Sequence, residues 1–228
     1  MVAGGSGAEP PDYWAPRPCL REPIAELFAA AARLDRAVGA HLAGDEVRAA
    51  KWLKLADSTA ARDYIESMWG ARSRWPEQTH YLRLRVVDDL PPETPEQRGL
   101  KVSTAMKRTV VARDGFLCRY CGLPVVPASV RTALTKLYPA AVSWGSTNPS
   151  QHAAFQALWL QYDHVEPLAR GGANTPENVV VSCAGCNFMK WNYTLAELGL
   201  EDPRGRDVVT SCWDGCTRLI GGPERCPL

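Results

Sequence analysis

Two CxxC pairs and an Asp-His pair carry the chemistry that this sequence can do. Cys118-Arg-Tyr-Cys121 is followed by Gly122, and Cys183-Ala-Gly-Cys186 by Asn187. Such spacing lets two thiolates reach one ion at about 2.3 Å, while the tight turn aims backbone N–H groups at the sulfurs. Two knuckles complete a tetrahedral four-cysteine site, so structural zinc is expected at Cys118, Cys121, Cys183 and Cys186. The gap from Cys121 to Cys183 exceeds the usual zinc-finger loop, so an insertion must lie between the knuckles. A redox CxxC is the alternative, but two pairs without a thioredoxin-like strand context argue against it.

Asp163-His164 lies on a short apolar-flanked run that reads as a strand, where adjacent side chains point to opposite faces. The two residues should therefore have different jobs. A carboxylate suits a hard divalent cation, and a neutral imidazole is the natural base for deprotonating water near pH 7. Asn178 opens a second strand, where it can hold a loop or orient the imidazole. Asn187 opens the helix after the second knuckle, and its amide oxygen can be a second metal ligand. Lys190, one turn on, can reach a phosphate. A lone histidine is more often structural than catalytic; in this company the balance turns.

The runs RDGFLCRYCG, DHVEPLARGG and ENVVVSCAGCNFMK together resemble the HNH endonucleases, nucleases of the ββα-metal fold. The resemblance covers roughly Lys101 to Tyr193, interrupted by an insertion at about Val126–Leu160. It implies that His164 is the general base and Asp163 a ligand of a catalytic Mg²⁺ or Mn²⁺. It implies further that Asn178 supports the site and orients the base, and that Asn187 completes the metal site. The four cysteines match the zinc-binding subset, in which zinc is structural and distinct from the catalytic ion. DNA is the implied partner. One departure is Trp191, where the motif commonly has Gly after the Lys.

These residues need elements to position them. Residues 1–20 are rich in Gly and Pro and read as a flexible N-terminus. Residues 21–87 read as a helical region for specificity or partner binding. Pro23 stands at a first helical position, and Ile24, Leu27, Phe28, Ala31, Leu34, Val38 and Leu42 follow at helical spacing. Asp45 can cap a second helix through Leu55, and Asp57 or Ser58 a third through Trp69. The run His80–Val86 alternates like a short strand. Residues 88–99, Pro-rich and polar, read as a linker. Residues 100–200 form the nuclease domain: a helix from Ser103 or Thr104 to Arg113, then the first knuckle. Two inserted helices (Ser129–Tyr138 and Pro149–Tyr162) precede strands at Tyr162–Glu166 and Asn178–Ser182, and a helix then runs to about Leu198. Residues 201–228 are a Cys-containing tail. The fold class expected is α+β, a mainly helical chain carrying a small ββα-metal core with two zinc knuckles.

Composition sets the outer limits. Hydrophobic residues make up 46% of the 228 and charged residues 22%, enough apolar material for a sizeable core. Formal net charge is +1, but the charge is unevenly spread. Residues 99–136 hold most of a basic block, in which Lys107, Arg108 and Arg113 form a candidate phosphate-facing surface. Residues 137–162 carry no formal charge. Packing against the core is the expectation for this aromatic insertion. Self-association through it or through the N-terminal helices, or a partner ATPase or sensor protein, is the alternative. No export signal or membrane span is legible, so a cytoplasmic protein is expected. Cys212, Cys216 and Cys226, with Cys19, could make a second metal site, although ordinary thiols are the simpler reading. Two rival functions stay open: a catalytically silent zinc-knuckle DNA-binding module, and an RNA-cleaving toxin using the same site.

Overall fold

The computed structural model describes residues 17–68 and 100–222. The strand expected at His80–Val86, the linker at 88–99 and Cys226 lie outside the described residues. The apolar stripe builds α1 (Ala25–Leu42), burying Leu27, Phe28, Ala31, Leu34 and Val38. α2 (Glu46–Ala56) starts at Asp45, whose carboxylate accepts from the Arg48 N–H at 2.9 Å. α3 (Thr59–Glu66) starts at Ser58, whose hydroxyl accepts from the Ala61 N–H. Each cap satisfies an otherwise orphaned backbone donor, typically worth about 1 kcal/mol. Asp45 and Ser58 thus fix where the three helices break, and α1 lies against α2.

After the undescribed stretch, Ser103 caps α4 (Thr104–Asp114), and Gly115, at φ 67°, ends it. The first knuckle follows at once, then α5 (Ala128–Leu137). The second inserted helix is shorter than its sequence suggests. A 3-10 turn at Asn148–Ser150 gives way to α6, only Ala153–Ala157. Strand-like pairing takes the rest: the Val126 N–H donates to Leu158 O at 2.6 Å, and the Leu160 N–H to Val126 O at 3.0 Å. β1 therefore begins at Leu160 and runs to His164, two residues earlier than expected. It pairs antiparallel with β2 (Val179–Cys183), matching Leu160 with Cys183 and His164 with Val179. α7 (Ala184–Lys190) completes a ββα unit, and the helix expected to reach Leu198 stops there. A separate turn, α8 (Leu195–Leu198), is closed by a capping box between Thr194 and Glu197. The described residues thus hold eight α-helices and one two-stranded antiparallel sheet, an α+β arrangement. Among them no helix is long and apolar enough to cross a membrane.

The uncharged insertion packs inward. Phe155 and Leu158 are buried, and α6 lies against α3, α1 and α7. Polar groups fasten the same seam. His152 Nε2 lies 2.9 Å from Leu53 O, the Ala153 N–H donates to Asp57 at 2.7 Å, and Arg62 donates to Asn148 O and Gln151 O. One hydrophobic cluster therefore runs from α1 to the two CxxC knuckles.

Asp114 pins α4 to the sheet. Its buried carboxylate accepts twice from Arg113, at 2.7 and 2.8 Å, and once from the Val181 N–H at 2.9 Å. Arg113 also donates to Pro176 O and Val179 O, bracing the loop into β2. Removing this carboxylate leaves the buried Val181 N–H without its acceptor, while the exposed Arg113 guanidinium keeps its two carbonyl acceptors. Asp114→Ala should therefore cost about 1–3 kcal/mol, the cost of an unsatisfied buried donor. The check is the chemical-denaturation midpoint in saturating zinc; a shift worth under about 1 kcal/mol would refute the pin.

Candidate active site

The site stands on the cysteine cluster. The Sγ atoms of Cys118, Cys121, Cys183 and Cys186 all lie within 4.8 Å of one another, and all four residues are buried. Tetrahedral thiolates at about 2.3 Å from zinc would sit roughly 3.8 Å apart, and Cys121 Sγ is 3.8 Å from Cys183 Sγ. The cluster could thus hold zinc. Burial opposes ionisation of Cys118, yet hydrogen bonds from the other three thiols hold it well below the usual thiol range. Those same contacts push Cys121 and Cys186 well above it. Four thiolates cannot coexist there without a cation between them. Cys183 has three placements at once: last residue of β2, N-cap of α7 and member of the cluster. Among the described residues Cys212 and Cys216 join no comparable group.

This anchor holds β1 and α7 around a depression of about 260 Å³, lined in part by Tyr162, Asp163, His164, Asn187, Phe188 and Trp191. His164 is half-buried, and its Nε2 lies 2.9 Å from Asn174 Oδ1. The Asn174 amide is oriented by its own Nδ2, which faces Lys101 O at 3.4 Å. An amide oxygen only accepts, so this contact makes Nε2 the donor; in the neutral imidazole the lone pair is then at Nδ1. Asn174 escaped the sequence reading. It sits in a Gly- and Pro-flanked loop, ten positions from the histidine, and only the loop's path brings it there.

Asp163, only 5% exposed, is engaged on both oxygens. Oδ2 accepts from the Tyr120 hydroxyl at 2.6 Å and lies 3.2 Å from Lys190 Nζ; Oδ1 is 3.5 Å from the same ammonium. Burial raises the Asp163 pKa, against the opposing pull of Lys190 and Tyr120. Lys190 was expected to reach a phosphate, but it is 1% exposed and its Nζ also donates to His164 O at 2.8 Å. It braces the Asp-His strand from the interior. Arg113 stays exposed on α4, but Asp114, Pro176 O and Val179 O engage most of its donors. Lys107 and Arg108 remain exposed on α4. Lys107 Nζ sits 5.4 Å from the centroid of Tyr162, on the depression's wall.

Asn178 works on the loop between the strands. Its Oδ1 accepts from the Glu166 N–H at 2.9 Å, and its Nδ2 donates to Glu166 O and Ala173 O. A Cβ at Gly172 would meet Glu166 O at 1.9 Å, so only glycine lets the chain pass this amide. Asn178 thereby holds the loop that delivers Asn174 to His164. Asn187 lies across the depression on α7.

The turn after α7 is unusual. Trp191 has φ 45° and ψ −126°, and the Tyr193 N–H donates to Lys190 O at 3.0 Å. This is a type II′ turn with tryptophan at the position that favours glycine. Holding a bulky residue there costs about 1–3 kcal/mol.

Residues 155–192 match the family model of the HNH endonucleases. The match runs from α6 through both strands to the turn that follows α7. No curated protein and no solved structure matches the chain. The HNH match points to nuclease activity, the cleavage of nucleic acid.

Proposed function

We propose that this protein is a metal-dependent endonuclease that hydrolyses DNA phosphodiester bonds with His164 as its base. The observation that carries the reading is the His164–Asn174 contact, which makes Nε2 the donor and so leaves Nδ1 as the basic nitrogen of the neutral imidazole, at a residue that lines a depression with Asp163 and Asn187. Nδ1 takes a proton from water as the water oxygen attacks phosphorus, and Asn174 Oδ1 holds the Nε2–H of the imidazolium that results. Asn178 fixes the loop that carries Asn174.

A carboxylate and an amide oxygen lining one depression fit a hard divalent cation such as Mg²⁺ or Mn²⁺. Asp163 and Asn187 would hold that ion, which when bound stabilises charge on the departing 3′ oxygen. Lys190 already neutralises Asp163, so attraction for a second cation is reduced and the divalent ion should bind weakly. Zinc at the four cysteines would be structural, and separate from this site. The biological setting we infer, bacterial defence or mobile-element biology in the cytoplasm, rests on the family resemblance. Residues 21–87 would then serve specificity or partner binding.

Purified protein incubated with supercoiled plasmid or RNA, each with Mg²⁺, Mn²⁺ or EDTA, tests the reading. Plasmid cleavage abolished by EDTA is the expected result. Cleavage of RNA alone would favour the toxin reading, and no cleavage with retained DNA binding the silent module.

Phosphate contact should come from Lys107 and Arg108. In His164→Ala protein, neutralising both to Gln should flatten the log–log salt dependence of DNA binding by about 1.8, at about 0.9 per lost contact. Arg113 is excluded from that set by its internal partners. An unchanged slope would return both residues to an ordinary solvated helix face.

A further inference from the structure

Two aromatic side chains stand at the rim of the depression with much of their surface in solvent. Phe188 is 39% exposed and Trp191 55%. Neither exposure is an accident of loose packing. Phe188 is backed by Trp159, ring centroids 6.4 Å apart, and Trp159 by Trp144 at 5.9 Å. Both contacts are edge-to-face, and the Arg131 guanidinium lies over both indoles, 3.6 Å from the Trp144 centroid and 5.0 Å from that of Trp159. The insertion thus backs Phe188 of α7 with an edge-to-face aromatic cluster, and Phe188 forms part of the wall of the site. Trp191 is held in a glycine-type backbone conformation while its indole, edge-on to Tyr193 at 6.2 Å, stays more than half exposed. A glycine would relieve that conformation, so the fold alone gives no reason for this side chain. Strain kept beside a site, with the strained side chain turned to solvent, points to a ligand.

We propose that Trp191 and Phe188 form a stacking platform for an unpaired nucleobase beside the scissile phosphate. The substrate preferred would then be single-stranded DNA, or duplex with an unpaired stretch at the cut, over continuous duplex. The inference rests on the nuclease reading above and names its substrate class. Flat aromatic faces bind any base without reading its sequence, whereas a base still in the duplex stack does not present its face. Lys107, against Tyr162 on the same depression, supplies positive charge for the adjoining backbone.

The test compares kcat/KM on one sequence as a single strand, a perfect duplex, and a duplex with a central mismatch bubble. Wild type should prefer the single strand and the bubble. Trp191→Gly should lose about tenfold of that preference while keeping its zinc and a melting temperature at or above wild type. Trp191→Phe should retain most of it, and Phe188→Ala should lose part. Binding is read separately, by anisotropy of a labelled single strand on His164→Ala and on His164→Ala/Trp191→Gly, with about tenfold weaker binding in the second. Equal cutting of duplex and single strand by wild type overturns the proposal. So does an unchanged preference in Trp191→Gly, or a lowered melting temperature that accounts for the loss. Failure of the nuclease reading looks different: wild type and His164→Ala would be equally inactive on all three substrates.

Discussion

His164→Ala slows DNA cleavage by at least ~10²-fold, the usual contribution of a positioned base, and leaves the fold, the zinc and DNA affinity in place. At 1.36 kcal/mol per tenfold, this is about 2.7 kcal/mol of transition-state stabilisation. The fold should tolerate the change. The imidazole's bond to Asn174 spans a half-exposed loop, and the Lys190 contact is to the His164 backbone carbonyl, which alanine keeps. A structural histidine would give the reverse signature, with lost stability and a modest effect on rate per folded molecule. Single-turnover cleavage with circular dichroism and zinc content on the same sample decides it; near wild-type cutting by folded His164→Ala would remove the mechanism. Asp163→Ala is a poorer probe than its place beside the histidine suggests. It strands the Lys190 ammonium in the interior, a loss of about 3–5 kcal/mol for a broken buried pair. Asn187→Ala tests cation binding more cleanly, and added Mn²⁺ should partly rescue it. Asn178→Ala and Asn174→Ala should lower the rate less than His164→Ala, since both act through its orientation.

Cys118→Ser or Cys186→Ser loses about one zinc per chain and unfolds the ββα unit. Zinc binding to such sites is worth roughly 10–16 kcal/mol in apparent free energy, and it is folding free energy. The entire stability of a domain is only about 5–15 kcal/mol, so no compensating contact can absorb the loss. The damage should spread from Cys183, which ends β2 and caps α7, to Asn187 on the next helical turn. Elemental analysis and the far-ultraviolet spectrum before and after chelation check this. A native protein without zinc, or an unchanged spectrum once it is stripped, would refute it.

Much of this was written locally in the chain. Asp45, Ser58 and Ser103 announce helix starts because a cap is a contact within three residues, and all three are found where expected. The CxxC pairs and Asp163-His164 are legible for the same reason. What failed depends on distant partners. The helix expected over Pro149–Tyr162 is cut short because Val126 claims the backbone on either side of Trp159, a pairing no local pattern records. Lys190 looked able to reach a phosphate, since periodicity says which residues share a face but not that Asp163 waits beneath it. Asn174 and Tyr120 were missed because each reaches its carboxylate or imidazole only through the finished fold.

The segment after α8 ties these distant partners together. Arg119 donates to Pro203 O, Arg206 O and Asp207 O. Arg218 then pairs with Asp214 and reaches back to Asp35 on α1 at 2.8 Å, across 183 positions of sequence. Contacts of such high separation close late, because the ordering of a long loop must precede any reward for closing it. On a ribosome adding about 5–20 residues per second, α1 to α3 have to wait for residue 218 before this clasp can shut. The two knuckles impose a similar delay, since Cys118 cannot meet Cys186 until both are made. A nascent chain would therefore carry His164 some seconds before the clasp and the four-cysteine cluster that hold its strand can close.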